Sequence, residues 1–444
     1  MNQVFVLRVS LVAALGGLLF GFDTAIISGA IPFITPYFNL NEYALGWAVS
    51  SILIGCGLGA LLAGPLADRS GRRRVLFLCA ALFGLSGMGT ALANNLAIFV
   101  AFRLIGGVGV GAAALVAPMY IAEIAPAAIR GRLVALYQLA IVTGILLAYY
   151  VNYALAHTGD HNWRWMFAAQ IVPSVLFGLF LLGVPETPRW LIGKRRESEA
   201  MQILQKTMGP ANAVNEEMHR IRQSFNTEGK VRLADLFSVR YFPLVATGVL
   251  IAVFQQVTGI NSILYYAPVI FRETGLDTSG SLMQTIGVGL VNVLATFLAI
   301  GLVDKVGRKK LLLGGSLVMG SSLTAVALCF HYQYFENYIV LISMLLYVGA
   351  FGCTLGAVTW VLLSELFPNR IRGLALSLAT LSLWLADFVV TFTFPVMTGK
   401  WGTSATLLTY AAFCAIAFLY ILSKVPETRG KSLEEIERIL IKQS

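Results

Sequence analysis

Apolar residues gather along the chain into runs of about twenty, the length that crosses the hydrocarbon core of a bilayer as a helix. Polar residues collect in the short breaks between these runs. The pattern predicts twelve spans, over residues 9–30, 46–67, 75–93, 97–121, 133–154, 165–184, 243–271, 281–303, 311–330, 338–363, 374–398 and 404–423. No stretch alternates strictly between apolar and polar, as a strand of an outer-membrane barrel would. The fold class expected is therefore an all-α membrane protein. Between the sixth and seventh runs, Pro185 to Tyr241 is the most charged part of the chain, with amphipathic helical candidates over 198–208 and 213–225.

Composition agrees with the pattern. Of 444 residues 57% are hydrophobic and 12% charged, where ordinary globular proteins have roughly a quarter charged. The 43 glycines suit closely packed membrane helices. A net charge of +10 would point to nucleic acid in a soluble protein, but 28 of the 32 Lys and Arg lie at the termini and in alternate loops. Only Arg103, Arg164, Arg272 and Lys400 fall elsewhere. That asymmetry places both termini in the cytoplasm of a multi-pass inner (plasma) membrane protein, so no nucleic-acid partner is expected. The organisation expected is a six-helix bundle over 1–184, a cytoplasmic helical linker over 185–241, a second six-helix bundle over 242–425 and a cytoplasmic tail over 426–444.

Five cysteines sit inside apolar runs as small hydrophobes, so neither a disulfide framework nor a metal site is expected. The first apolar segment contains Asp23 and lacks a small-residue cleavage site, which reads as a retained helix. The four histidines lie in loops or at span ends, with no HExxH motif and no clustered carboxylates. Nothing here supplies the groups an enzyme needs, and no cofactor is expected.

The two halves repeat one another. Gly64-Pro-Leu-Ala-Asp68-Arg-Ser-Gly71-Arg-Arg returns as Gly301-Leu-Val-Asp304-Lys-Val-Gly307-Arg-Lys; Glu123 with Arg130-Gly131-Arg132 returns as Glu365 with Arg372-Gly373; Pro185-Glu186-Thr187 returns as Pro426-Glu427-Thr428. A constant offset and six spans per half mean duplication in one membrane orientation, a parallel repeat. Two copies of the Asp-(Arg/Lys)-x-Gly-Arg-(Arg/Lys) loop resemble the major facilitator superfamily. Gly17-Leu-Leu-Phe20-Gly-Phe-Asp23, Arg103-Leu-Ile-Gly-Gly, Pro185-Glu-Thr-Pro-Arg189, Gln255-Gln256-x-x-Gly259-x-Asn261 and Pro426-Glu-Thr-Arg429-Gly-Lys narrow the resemblance to its sugar porter family. That family holds the glucose facilitators and the bacterial xylose/proton symporters.

Several polar groups stand inside apolar spans. Gln255, Gln256 and Asn261 are followed by Tyr265 and Tyr266. On one continuous helix Asn261 and Tyr265 fall about 40° apart and Gln255 and Tyr266 about 20° apart. Amides both donate and accept, which suits hydroxyl groups. Gly259 and Pro268 are expected to loosen the helix, and broken membrane helices lining a cavity are where substrate sites form. Interhelical hydrogen bonding is the alternative. The resemblance makes these residues sugar ligands and adds Asn292, Trp360 and Trp384, with Phe20 on the first helix and Gln138 on the fifth. Ile145 and Leu383 stand where the xylose symporters have glutamines, so the pocket implied is less polar there.

An unpaired Asp23 in a span would cost roughly 3 kcal/mol; Arg103 is the basic residue able to offset it. Such a pair is either a proton-operated switch or a static link between helices. In the resembling symporters this aspartate is the proton site, while Gln170 replaces a second acid. Asp387, near the middle of the eleventh span with no basic residue from Gly373 to Gly399, departs from the neutral residue of the family. It shares a helical face with Trp384 and is the further candidate for sugar contact or proton coupling; the alternative is a neutral carboxylic acid bonded to a nearby backbone carbonyl. Arg72, Glu123, Arg130, Arg308, Glu365 and Arg372 fall at cytoplasmic helix ends and read either as solvated surface charge or, by resemblance, as a cytoplasmic gate. The resemblance implies transport of a monosaccharide, a hexose or pentose such as glucose, galactose or xylose, by alternating access with a proton. The partners are then sugar, proton and bilayer, and the chain works as a monomer. A facilitative uniporter and a transporter-like sugar sensor are the rival readings.

Overall fold

The computed structural model describes residues 2–126, 129–227, 233–238, 241–336, 338–368, 370–429 and Glu435. Among the described residues the secondary structure is helical throughout. Five spans are unbroken helices: α1 (Gln3–Tyr37), α2 (Glu42–Ser70), α3 (Arg72–Ala91), α4 (Leu96–Ile124) and α5 (Arg130–Leu155). The sixth is in two pieces, α6 (Asn162–Ala168) and α7 (Ile171–Leu182). The charged stretch forms α8 (Pro188–Gly193), α9 (Glu197–Met208) and α10 (Ala211–Thr227), close to the expected amphipathic segments, followed by a 3-10 turn at Leu233–Phe237. Leu191, Ile192, Ala200, Leu204, Val214 and Met218 give α8 to α10 a small core of their own.

The second half continues with α11 (Phe242–Val257), α12 (Ile260–Glu273), α13 (Thr278–Val306), α14 (Arg308–His331), α15 (Ile339–Cys353), α16 (Leu355–Leu366) and α17 (Arg372–Lys424). The last holds two spans, because Gly402 (φ 81°, ψ 162°) interrupts it.

The chain divides into two compact units. The first comprises Met1–Ile26, Ile54–Val151 and His161–Lys230, the second Ile27–Leu53, Asn152–Asp160 and Val231–Ser444. These units do not coincide with the sequence halves. Inside the second unit the start of α2 and the loop after α5 pack on second-half helices: Trp47 meets Phe388 edge-on at 6.2 Å and His157 Nε2 lies 2.7 Å from Ser279 Oγ. In the first unit α1 and α5 touch backbone to backbone. A Cβ on Gly21 would fall 1.9 Å from the Ile141 carbonyl oxygen, and one on Gly144 would fall 2.0 Å from that of Leu18, the small-residue contact by which membrane helices approach.

Two spans of the second unit are broken in mid-membrane. Between α11 and α12, Gly259 takes φ +93° and its hydrogen faces the Tyr410 ring. Between α15 and α16, Thr354 takes φ −128° and ψ −94°. Backbone groups freed in a bilayer need protein partners. Tyr347 Oη donates to the Thr258 carbonyl (2.9 Å), the Thr354 hydroxyl donates to the Ala350 carbonyl (2.6 Å), and Gln255 Nε2 reaches the Leu355 carbonyl in the first turn of α16 (3.0 Å). The expected loosening therefore occurs at Gly259 alone, since Pro268 sits within α12. It also corrects the pairing of Gln255 with Tyr266 on one face: the break separates them onto α11 and α12, and helical spacing does not carry across it.

Gly259→Ala places a Cβ about 2.5 Å from the Tyr410 ring on left-handed backbone. Strain on the order of 1–3 kcal/mol is expected. Thermal unfolding of the detergent-purified variant should occur at a lower temperature, and an unchanged transition would contradict this account of the break.

Candidate functional site

The amide groups around the Gly259 break form a connected chain. Asn261 Nδ2 donates to Gln256 Oε1 (2.9 Å) across the break and to Asp387 Oδ2 (2.7 Å) on α17. Thr391, one turn along α17, donates its hydroxyl to Asp387 Oδ1 (3.1 Å). Gln255, Gln256 and Asp387 are buried, while Asn261 is half-buried. Asp387 thus meets neutral donors, and among the described residues no ion pair reaches it. Helices α11 and α12 both pack on α17.

The other residues anticipated for this site have mixed positions. Tyr265 is buried, and Tyr266 is wholly buried, stacked on Phe394 at 4.7 Å with its hydroxyl on the Thr391 carbonyl (3.3 Å). That gives Tyr266 a packing role. Asn292 is buried on α13, its Oδ1 facing Gly352 at the end of α15. Leu383 and Trp384 are buried on α17, whereas Trp360 is 42% exposed on α16. In the first unit Phe20 and Gln138 are half-buried, and Ile145 is buried on α5.

A second cluster lies wholly inside the first unit. Arg103 Nη1 donates to both Oδ1 and the backbone carbonyl of Asp23, each at 2.9 Å, with both residues fully buried. The guanidinium sits 5.8 Å from the Phe167 ring. Gln170, at the break between α6 and α7, is fully buried, faces Asp23 and donates Nε2 to the Phe83 carbonyl (3.2 Å). Gly106 completes the enclosure: a Cβ there would meet Ser86 Oγ at 2.3 Å and Asp23 Oδ2 at 2.7 Å. Neither Ser86 nor Gly106 was singled out by sequence reasoning. The glycine pair after Arg103 was the available signal.

The basic loops build two matching clamps, each within one unit. Arg72 Nη2 pairs with Glu123 (3.1 Å) and Asp68 (3.0 Å), and its Nη1 donates to the Ala67 carbonyl. Arg308 Nη2 pairs with Glu365 (2.9 Å), and its Nη1 donates to the Val303 carbonyl. Glu186 accepts the backbone N–H groups of Arg72 (3.0 Å) and Arg73 (3.1 Å), and Glu427 those of Arg308 (2.9 Å) and Lys309 (3.1 Å). Each carboxylate thereby caps a helix whose first N–H groups have no partner within it. Burial pushes the Glu186 carboxyl above its ordinary range, opposed by N–H bonds from Thr187, Arg73 and Arg72. Gly71 and Gly307 both take φ +100°, with a carboxylate oxygen where a Cβ would be. Arg130 and Arg372 do not pair with the glutamates; they donate to the Ala125 and Phe367 carbonyls. Sequence reasoning missed the capping role of Glu186 and Glu427, although their repeated Pro-Glu-Thr context marked them.

Comparison with known proteins places this geometry among transporters. The family model described as sugar (and other) transporter matches residues 9–440. The D-xylose-proton symporter of Escherichia coli (strain K12) is 42% identical over 479 aligned positions, covering 99% of this chain and 96% of that protein. The arabinose-proton symporter of Bacillus subtilis (strain 168) is 39% identical, with 99% and 96% covered. A solved structure of the E. coli xylose transporter XylE in its inward-open conformation superposes with a TM-score of 0.87 at 40% identity, covering 98% of this chain and all of that one.

Gly106→Ala should lower stability by about 1–3 kcal/mol through overpacking, and by less when Asp23 is also replaced by Ala. Equal losses in the two backgrounds, read from unfolding in detergent, would show that the glycine does not make room for the carboxylate.

Proposed function

The chain belongs to the sugar transporter family, and from that membership we propose that it carries a monosaccharide across the membrane by alternating access, with a proton moving in the same direction. The observation that carries the coupling is the wholly buried Asp23–Arg103 pair. A carboxylate there holds the guanidinium by charge. A proton on Asp23 removes that charge and releases Arg103, and loss of the proton restores the pair. Two arrangements of one buried pair are what a coupled carrier requires of its proton site. Gln170 leaves Asp23 as the titrating acid of this cluster.

In the second unit Gln255, Gln256 and Asn261 are the proposed sugar ligands, with Asn292 and Trp384 beside them. Amides match hydroxyls in both donor and acceptor sense, and a tryptophan face covers the apolar C–H side of a sugar ring while its N–H bonds an oxygen. The names of the relatives, symporters of D-xylose and of arabinose with protons, support a pentose or hexose. The Arg72–Glu123 and Arg308–Glu365 clamps are proposed as latches that lock and release helix ends during the cycle. A multi-pass membrane protein of this charge distribution is proposed to lie in the plasma membrane with both termini cytoplasmic and to work as a monomer.

The test is uptake of labelled sugars, D-xylose among them, by proteoliposomes carrying an imposed proton gradient. Wild type should accumulate sugar above equilibrium. Asp23→Asn should lose accumulation yet retain sugar exchange, because the neutral side chain imitates the protonated acid but cannot cycle charge. Accumulation at the wild-type level in the variant would refute the assignment, and absence of accumulation in wild type would favour a facilitative uniporter.

A further inference from the structure

Resting on the sugar-site reading, we propose that Asp387 fixes the direction of the amides around the Gly259 break. It thereby makes the site demand a hydroxyl, and not merely an acceptor, on the sugar carbon that faces Asn261. A side-chain amide nitrogen carries two N–H donors. Both donors of Asn261 are engaged, one by Gln256 Oε1 and one by Asp387 Oδ2. Only its carbonyl oxygen remains for a ligand. Turning that amide over would set its carbonyl oxygen against a carboxylate oxygen, two acceptors with no proton between them. Both carboxylate oxygens already act as acceptors, since Thr391 donates to the other. Ionised, Asp387 is an acceptor only, and the direction propagates. Asn261 turns its nitrogen to Asp387, Gln256 turns its carbonyl to Asn261, and the Gln256 nitrogen is left as a donor. Gln255, whose nitrogen is held by the Leu355 carbonyl, offers its carbonyl oxygen.

A sugar hydroxyl fits this polarity by accepting from Gln256 and donating to Asn261. Fluorine or an ether oxygen can accept but cannot donate, and leaves the Asn261 oxygen unmatched. An asparagine in place of Asp387 could present either its oxygen or its nitrogen to Asn261, so the amide chain could reverse and receive an acceptor-only group. Asp387 is then a positioning residue, acting on specificity through Asn261.

The test is calorimetric titration of the detergent-purified full chain with D-xylose, D-glucose and their monodeoxy-monofluoro derivatives, one ring position at a time. In wild type the fluoro substitution facing Asn261 should weaken binding about tenfold or more. In Asp387→Asn that ratio should fall to about threefold or less, whatever the variant's affinity for the parent sugar. A purely structural role would weaken every ligand alike and leave the ratio unmoved, which would overturn the proposal. Asp387→Ser serves if Asp387→Asn does not assemble, because without the carboxylate the Asn261 amide is free to turn over and the same ratio should fall; an unchanged ratio there also overturns it. Gln256→Ala separates the two levels. If it binds the parent sugar like wild type, the sugar-site reading fails and this inference with it; if it binds weakly while Asp387→Asn keeps the wild-type ratio, only the present inference fails.

Discussion

A backbone carbonyl released from a helix inside a bilayer has no water to turn to, and the second unit of this protein is organised around two places where that happens. Breaking a span frees polar groups whose neglect would cost several kcal/mol each. At Gly259 the cost is met by Tyr347, which reaches the Thr258 carbonyl from α15; at Thr354 it is met by that residue's own hydroxyl on the Ala350 carbonyl, with Gln255 on the Leu355 carbonyl beside it. Helices α11, α12 and α17 then bring Gln256, Asn261 and Asp387 into one hydrogen-bonded chain. Gln255 thus does structural work beside any contact with a ligand, which a reading of it as a sugar ligand alone overlooks.

Charge, too, is paired inside the protein. Asp23 on α1 and Arg103 on α4 are both fully buried and bond through Arg103 Nη1. A buried pair of this kind adds little to stability relative to apolar packing, yet losing one partner is severe. It is better suited to switching than to bracing. At the ends of α3 and α14 the carboxylates of Glu186 and Glu427 sit on the first backbone N–H groups, and Arg72 and Arg308 tie in Glu123 and Glu365. The recurrence of the clamp, down to a positive φ at Gly71 and Gly307, shows that the sequence repeat is a repeat of structure.

The spans were legible because burial in lipid demands long apolar runs, and the repeat was legible because each clamp fixes several residue types at once. The break at Gly259 could be anticipated from a residue that tolerates left-handed backbone. The break at Thr354 could not, since its own residue type announces nothing and only Gly352 and Gly356 flank it. Helical spacing misled where it ran through a break, as for Gln255 and Tyr266. Nor could spacing foresee that Asn261 would reach Asp387, 126 residues away in sequence, because convergence of α12 and α17 is a tertiary fact. Arg130 and Arg372 show a further limit: opposite charges near one another in sequence, yet each guanidinium turns to a carbonyl at a helix end instead.

If the amides at the Gly259 break receive the sugar, a structure of the full chain with D-xylose or another transported sugar bound will show a sugar hydroxyl within hydrogen-bonding distance of both the Gln256 amide nitrogen and the Asn261 carbonyl oxygen. A sugar seated elsewhere, with Gln256 and Asn261 still bonded only to protein groups, would contradict it.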